Sequence, residues 1–185
     1  AHGIYFNDQE LDRLAQTGTG VSHCPSSNMR LGSGIARVRE MLARGVPVAI
    51  GVDGSASNDT SDFLGELRNA LLLQRVKYGA DAVTAREILA LASEAGARML
   101  NFSQAGAIRV GWAADIAAFD VHKLEYAGAH ADPLAALLFA GISHQADYTI
   151  VNGRVVVRNG KLALVEEENL MIEANRTAAT LLSAE

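Results

Sequence analysis

The stretch Val46-Pro47-Val48-Ala49-Ile50-Gly51-Val52, followed at once by Asp53, decides the fold class. A continuous apolar run of this length reads as a strand buried on both faces, the pattern of a parallel sheet covered by helices. Upstream, Ile35, Val38, Met41 and Leu42 recur at helical spacing from Ile35 to Arg44, and Gly45 closes that helix. Further back, a polar, Gly-rich loop from Cys24 to Gly34 follows a short strand, Gly20–His23. Before it lies a helix from Asn7 to Gln16, with Leu11, Leu14 and Ala15 at helical spacing and Asn7-Asp8 as its cap. Strand, loop, helix and strand in that order is the grammar of a βα barrel or a doubly wound sheet.

Downstream of Asp53, the loop Gly54-Ser55-Ala56-Ser57-Asn58-Asp59 leads to helices expected around Asp62–Lys77 and Thr84–Leu100. Thr84 and Glu87 stand in capping-box register. After Asn101 the pattern changes. Ala114–Asp120 and Tyr148–Val151 read as strands, Asn152-Gly153 turns the second into Arg154–Arg158, and Asn159-Gly160 marks another turn before Lys161–Val165. These strands predict a small antiparallel unit. A short helix is expected from Pro133 to Ala140, and an amphipathic helix from about Glu167 to Leu182 closes the chain.

The chain has 185 residues, 49% of them hydrophobic, enough to bury a core, and reads as soluble. Its formal charge of -5, with Lys and Arg scattered, lacks the footprint of a nucleic-acid or membrane-surface binder and points to small-molecule partners. Cys24 is the only cysteine, which excludes an internal disulfide framework and multi-cysteine metal sites and suits a reducing cytoplasm. No apolar run is long enough to span a bilayer. The N-terminus has neither the basic region nor the apolar core of a signal peptide, and reads like the interior of a larger protein.

Asp53 is the first candidate for chemistry. A polar residue at the C-terminal end of a barrel strand faces the active-site mouth, and an Asp there needs a metal, a helix N-terminus or an Arg as partner. The alternative is an Asx-turn cap on the following loop. His2 is a second candidate, with a surface or satisfied core position as its alternative. In Ser22-His23-Cys24-Pro25-Ser26-Ser27-Asn28, either His23 and Cys24 line a pocket or Ser26, Ser27 and Asn28 merely satisfy backbone groups in an irregular loop. Cys24-Pro25 is not a zinc-deaminase motif of the cytidine type, because a second cysteine and an upstream His-x-Glu are missing. Gly32 and Gly34 lack the rest of a dinucleotide fingerprint. His122, His130 and His144 have no partner at ligand spacing, although Asp132 before Pro133 is placed to cap a helix.

Ala1-His2, Ser22–Gly32, Gly51-Val52-Asp53-Gly54-Ser55-Ala56-Ser57-Asn58 and Gly111-Trp112-Ala113-Ala114-Asp115 together resemble the amidohydrolase superfamily. More narrowly, the chain resembles the branch of S-adenosylhomocysteine deaminases, chlorotriazine hydrolases and 8-oxoguanine deaminases, and it is most similar to the last of these. The resemblance implies an α/β fold: residues 1–103 as the C-terminal part of a distorted (β/α)8 TIM barrel, and 104–166 as part of a small β-sandwich with a short inserted helix. Residues 167–185 would form a C-terminal helix. It also implies one divalent metal, zinc or iron, at the barrel mouth.

On that resemblance His2 ends the sixth barrel strand, His23 the seventh and Asp53 the eighth. Asp53 is then a metal ligand and proton acceptor, His2 hydrogen-bonds the substrate or the attacking water, and further substrate contacts come from His23, Cys24 and Ser57. Water activated by a cation attacks an amidine-like ring carbon, and ammonia leaves. For 8-oxoguanine the carbon is C2 and the product urate. The family's His-x-His, its fifth-strand His and its proton-shuttling Glu have no counterpart here, and one carboxylate does not hold a catalytic zinc. The chain is therefore expected to be an inactive segment of a longer, cytoplasmic, homo-oligomeric enzyme, with its remaining ligands upstream of Ala1. Hydrolysis of another aminated or chlorinated heterocycle (S-adenosylhomocysteine, adenosine, guanine, a pterin or a chlorotriazine) is the alternative within the class. A non-catalytic assembly protein on the same fold is the alternative outside it.

Overall fold

A computed structural model describes residues 1–183. The last two residues of the expected 167–185 helix lie outside the described residues. The chain forms two compact units, Ala1–Trp112 with Val121–His144, and Ala113–Asp120 with the chain from Gln145 onward.

In the first unit, α1 (Asp8–Thr17) starts where Asn7 and Glu10 close a capping box, and it ends on Gly18 in the left-handed conformation. It buries Leu11. β1 (Val21–His23) and β2 (Val48–Ile50) pair in parallel with Val21 opposite Val48 and His23 opposite Ile50. All three residues of β2 are buried, as its apolar run predicts for a strand covered on both faces. The regular strand is shorter than the run Val46–Val52 that announces it.

Between these strands lie α2 (Pro25–Arg30) and α3 (Val38–Ala43). The expectation of an irregular loop over Cys24–Gly34 is corrected here. Pro25 occupies the first helical position, where its missing N–H is no loss, and starts a short helix that ends at Arg30 before Gly32. In turn α3 begins only at Val38, three residues later than the pattern from Ile35 suggests.

Next, α4 (Phe63–Tyr78) is capped by Asp62 and turns Leu64, Leu67, Ala70 and Leu71 inward. The helix expected over Thr84–Leu100 is three pieces. Thr84 and Glu87 cap α5 (Ala85–Ala90) reciprocally, a π-helical turn covers Leu91–Ala95, and α6 is Gly96–Met99. A Cβ at Gly106 would meet Ser93 and Glu94 backbone atoms at 2.8 Å, so the following loop lies directly on the widened turn.

The short helix α7 (Pro133–Phe139) has the anticipated cap, Asp132 accepting the Ala135 N–H. It packs on α4 and α5, buries Leu138, and is tethered by Arg68, whose guanidinium donates to the Leu138 and Phe139 carbonyls. Tyr126, on a 3-10 turn, is buried in the same unit. Residues 121–144, expected within the small β unit, thus belong to the first unit because their apolar side chains find cover there.

The second unit is one antiparallel sheet in the order β3 (Ile116–Ala118), β4 (Tyr148–Val151), β5 (Arg154–Arg158), β6 (Lys161–Leu162). Asn152-Gly153 and Asn159-Gly160 have positive φ at both positions, as two-residue hairpin turns require. β6 is shorter than the expected Lys161–Val165. The last ladder bond runs from the Ala163 N–H to the Val156 carbonyl, and α8 (Glu167–Leu182) then takes the chain away. No described residue of this unit is buried.

Candidate functional site

The parallel strands deliver the site. After Ile50 the Gly51 N–H donates to the His23 carbonyl, and a Cβ at Gly51 would lie 2.5 Å from Ser22 Oγ, so a larger residue there would force the Ser22 hydroxyl to move. Two residues on, Asp53 adopts φ +66, a left-handed conformation that Asp tolerates better than most residues. Its Oδ2 accepts hydrogen bonds from Ser27 Oγ at 2.6 Å and Ser57 Oγ at 2.8 Å. These two bonds, a bond from the Gly54 backbone and the nearby His2 hold its carboxyl down to about 2, against an ordinary 3.8. Asp53 is ionised at any physiological pH.

His2 also has positive φ, +68, and its N–H donates to the Ser22 carbonyl, which hangs the N-terminal segment beside β1. Among the described residues this segment forms no strand; where a strand end is expected at His2, the structure has one backbone bond to β1. The ring is set by Asn28, whose Oδ1 lies 2.9 Å from His2 Nδ1. With that oxygen accepting, Nδ1 is the donor of the pair and Nε2 is the ring nitrogen left for other partners. Nε2 lies 3.8 Å from Asp53 Oδ2.

His2, Asp53 and Ser57 therefore come together, joined by two residues that the sequence left among backbone satisfiers, Ser27 and Asn28. Their signal is visible only afterwards: on the first turns of α2, consecutive side chains reach Asp53 and His2. His23 and Cys24 are close in sequence but differ in environment. His23 is fully buried, both ring nitrogens lack a hydrogen-bond partner, and burial followed by the charge of His2 pushes it down to about 4. It is neutral above that pH. Cys24 is also buried, its thiol pushed up mainly by burial, and it donates to the Ser22 carbonyl at 3.7 Å rather than to the Asp53 cluster.

The chemistry of this donor set fits a divalent cation. An ionised carboxylate and an imidazole nitrogen face each other at a strand end, and the buried nitrogens of His23, at the end of β1, have no hydrogen-bond partner in this chain. Among the described residues, no group of three or more His, Cys, Asp or Glu converges, so the chain's own donors are fewer than a catalytic zinc takes.

The amidohydrolase family profile matches residues 1–156. The chain belongs to the amidohydrolase family. Among its relatives, the 8-oxoguanine deaminase of Pseudomonas aeruginosa is 45% identical over 100% of this chain and 40% of its own length. Solved structures agree. The adenosine deaminase of Xanthomonas campestris with bound zinc superposes with a TM-score of 0.93 at 31% identity, over 99% of this chain and 42% of that one. Atrazine chlorohydrolase from Arthrobacter aurescens, complexed with zinc, gives 0.88 at 35% identity, over 96% and 39%. The chain thus spans about two fifths of the length of the amidohydrolases it matches. No described helix is long and apolar enough to cross a membrane.

Proposed function

We propose that this chain is part of a metal-dependent aminohydrolase that deaminates a purine-like heterocycle, with 8-oxoguanine, converted to urate and ammonia, as the leading substrate. The observation that carries the reading is the Asp53 carboxylate, ionised, gripped by Ser27 and Ser57 and facing His2 at a strand end. The 45% identity to an 8-oxoguanine deaminase supports the substrate. In this reading β1 and β2 are the seventh and eighth strands of a (β/α)8 barrel. The second unit is part of a β-sandwich whose further strands cover its unburied faces.

Asp53 would hold a divalent metal, zinc by likeness to the zinc-bound relatives, together with ligands from strands before Ala1. The cation, when bound, supplies Lewis acidity and lowers the pKa of water at the site. Asp53, ionised in this chain, would be an anionic ligand and would accept a proton from the attacking water. His2, fixed through Nδ1 by Asn28, presents Nε2 to hold a proton at the substrate or the attacking water. Ser57 would contact the heterocycle, whereas His23, neutral and unpartnered, and Cys24 are buried within this chain and would support the site from behind.

Likeness to the atrazine chlorohydrolase favours a second reading, hydrolysis of another leaving group from a related ring. Ammonia and chloride release by the complete protein, measured on 8-oxoguanine, guanine, adenosine and a chlorotriazine, separates the two. Fastest ammonia release from 8-oxoguanine is expected. Turnover confined to the chlorotriazine would refute the leading reading.

A further inference from the structure

We propose that Glu66 is a positioning residue for Asp53, locking both backbone segments that aim its carboxylate; this rests on the reading of Asp53 as a metal ligand. Glu66 is one of the buried residues of α4, 1% exposed, and no described Lys, Arg or His pairs with it. A carboxylate there is costly unless its oxygens are bonded, and both are. Oε2 accepts the Ser26 N–H at 3.2 Å, and Oε1 accepts Asn58 Nδ2 at 2.7 Å.

Each bond leads to Asp53. The Ser26 N–H belongs to the first turn of α2, and the next residue is Ser27, whose hydroxyl grips Asp53 at 2.6 Å. Asn58, 4% exposed, gives the same amide nitrogen to the carbonyl of Val52, the residue before Asp53, at 2.8 Å. Asn69, also on α4, donates to Ser26 Oγ and adds a second tie to α2. Asp53 is thus clamped on its hydroxyl side and its backbone side by one buried carboxylate, and its positive φ is held from outside the residue. An isosteric amide at position 66 turns one acceptor into a donor facing a donor, so one of the two ties must break.

The control lies on the same helix. Gln74 is fully buried, accepts the Arg39 N–H and donates to the Ala36 carbonyl, and has no link to the Asp53 loop. In the complete protein, zinc affinity by chelator competition and thermal unfolding of the metal-free form are measured for the parent, Glu66→Gln, Asn58→Asp and Gln74→Met. Groups that orient a ligand are worth about 10–100-fold in metal affinity, and Glu66→Gln and Asn58→Asp should each lose that much. Gln74→Met should unfold at lower temperature yet keep the parent affinity. Parent affinity in Glu66→Gln, or an equal loss in Gln74→Met, would overturn the proposal. Should Glu66→Gln not fold, Asn58→Asp reads the same link with the same outcomes. A parent protein that binds no zinc defeats the metal-ligand reading and this one with it, whereas zinc bound equally by parent and Glu66→Gln defeats this one alone.

Discussion

Ser27→Ala removes the shortest hydrogen bond to Asp53 and leaves its neighbours in place. The hydroxyl stands 2.6 Å from Oδ2 and is the largest of the influences that hold the carboxyl near 2 rather than 3.8; Ser57, the Gly54 backbone and His2 supply the rest. The variant should therefore raise the Asp53 pKa by roughly one pH unit, part but not all of that interval. A carboxylate depressed on folding contributes stability that is fully present above its unfolded value and is lost as pH falls through its folded value. For the parent that window lies between 3.8 and about 2, and in Ser27→Ala it narrows from below. Carbon-detected NMR titration of the Asp carboxyls in the metal-free protein, with Asp53→Asn to assign the resonance, gives the two values. An Asp53 resonance that titrates identically with and without the Ser27 hydroxyl would refute the reasoning.

Two further outcomes follow from burial. His23, depressed from 6.5 to about 4, opposes unfolding only while neutral, so its contribution is whole above pH 6.5 and falls away as pH drops toward 4. It amounts to about 3 kcal/mol, and His23→Leu should show a flatter melting temperature against pH across that range; an unchanged slope would contradict it. At Gly141 a Cβ would collide with the buried Tyr126 ring and hydroxyl, so Gly141→Ala should cost about 1–3 kcal/mol in urea unfolding, and a neutral result would show that Tyr126 moves freely.

The sequence carried the local rules well. The Asn7 cap, the Thr84–Glu87 capping box, the two Asn-Gly turns and the buried run at β2 depend on residues within a few positions of each other, and the structure has them. Contacts across the chain were harder to read. Pro25 looked like part of a loop because a six-residue helix has too few periodic positions to register. Ser27 meets Asp53 across 26 residues, and Asn28 meets His2 across the same distance; no spacing rule connects them. Nothing in the spacing of α4 singles out Glu66, since its burial depends on packing by α2 and the Asp53 loop. The resemblance places 121–144 within the small β unit, whereas Tyr126 and Leu138 bury themselves in the first unit.

Asp53→Asn in the complete protein tests the central claim most directly, because the amide keeps the side chain's shape while removing the anionic ligand and proton acceptor. Zinc content and ammonia release from 8-oxoguanine are measured on parent and variant together. The account predicts one zinc per chain and turnover in the parent, with metal weakened and turnover abolished in Asp53→Asn. A variant that retains both the parent zinc content and the parent rate would contradict it.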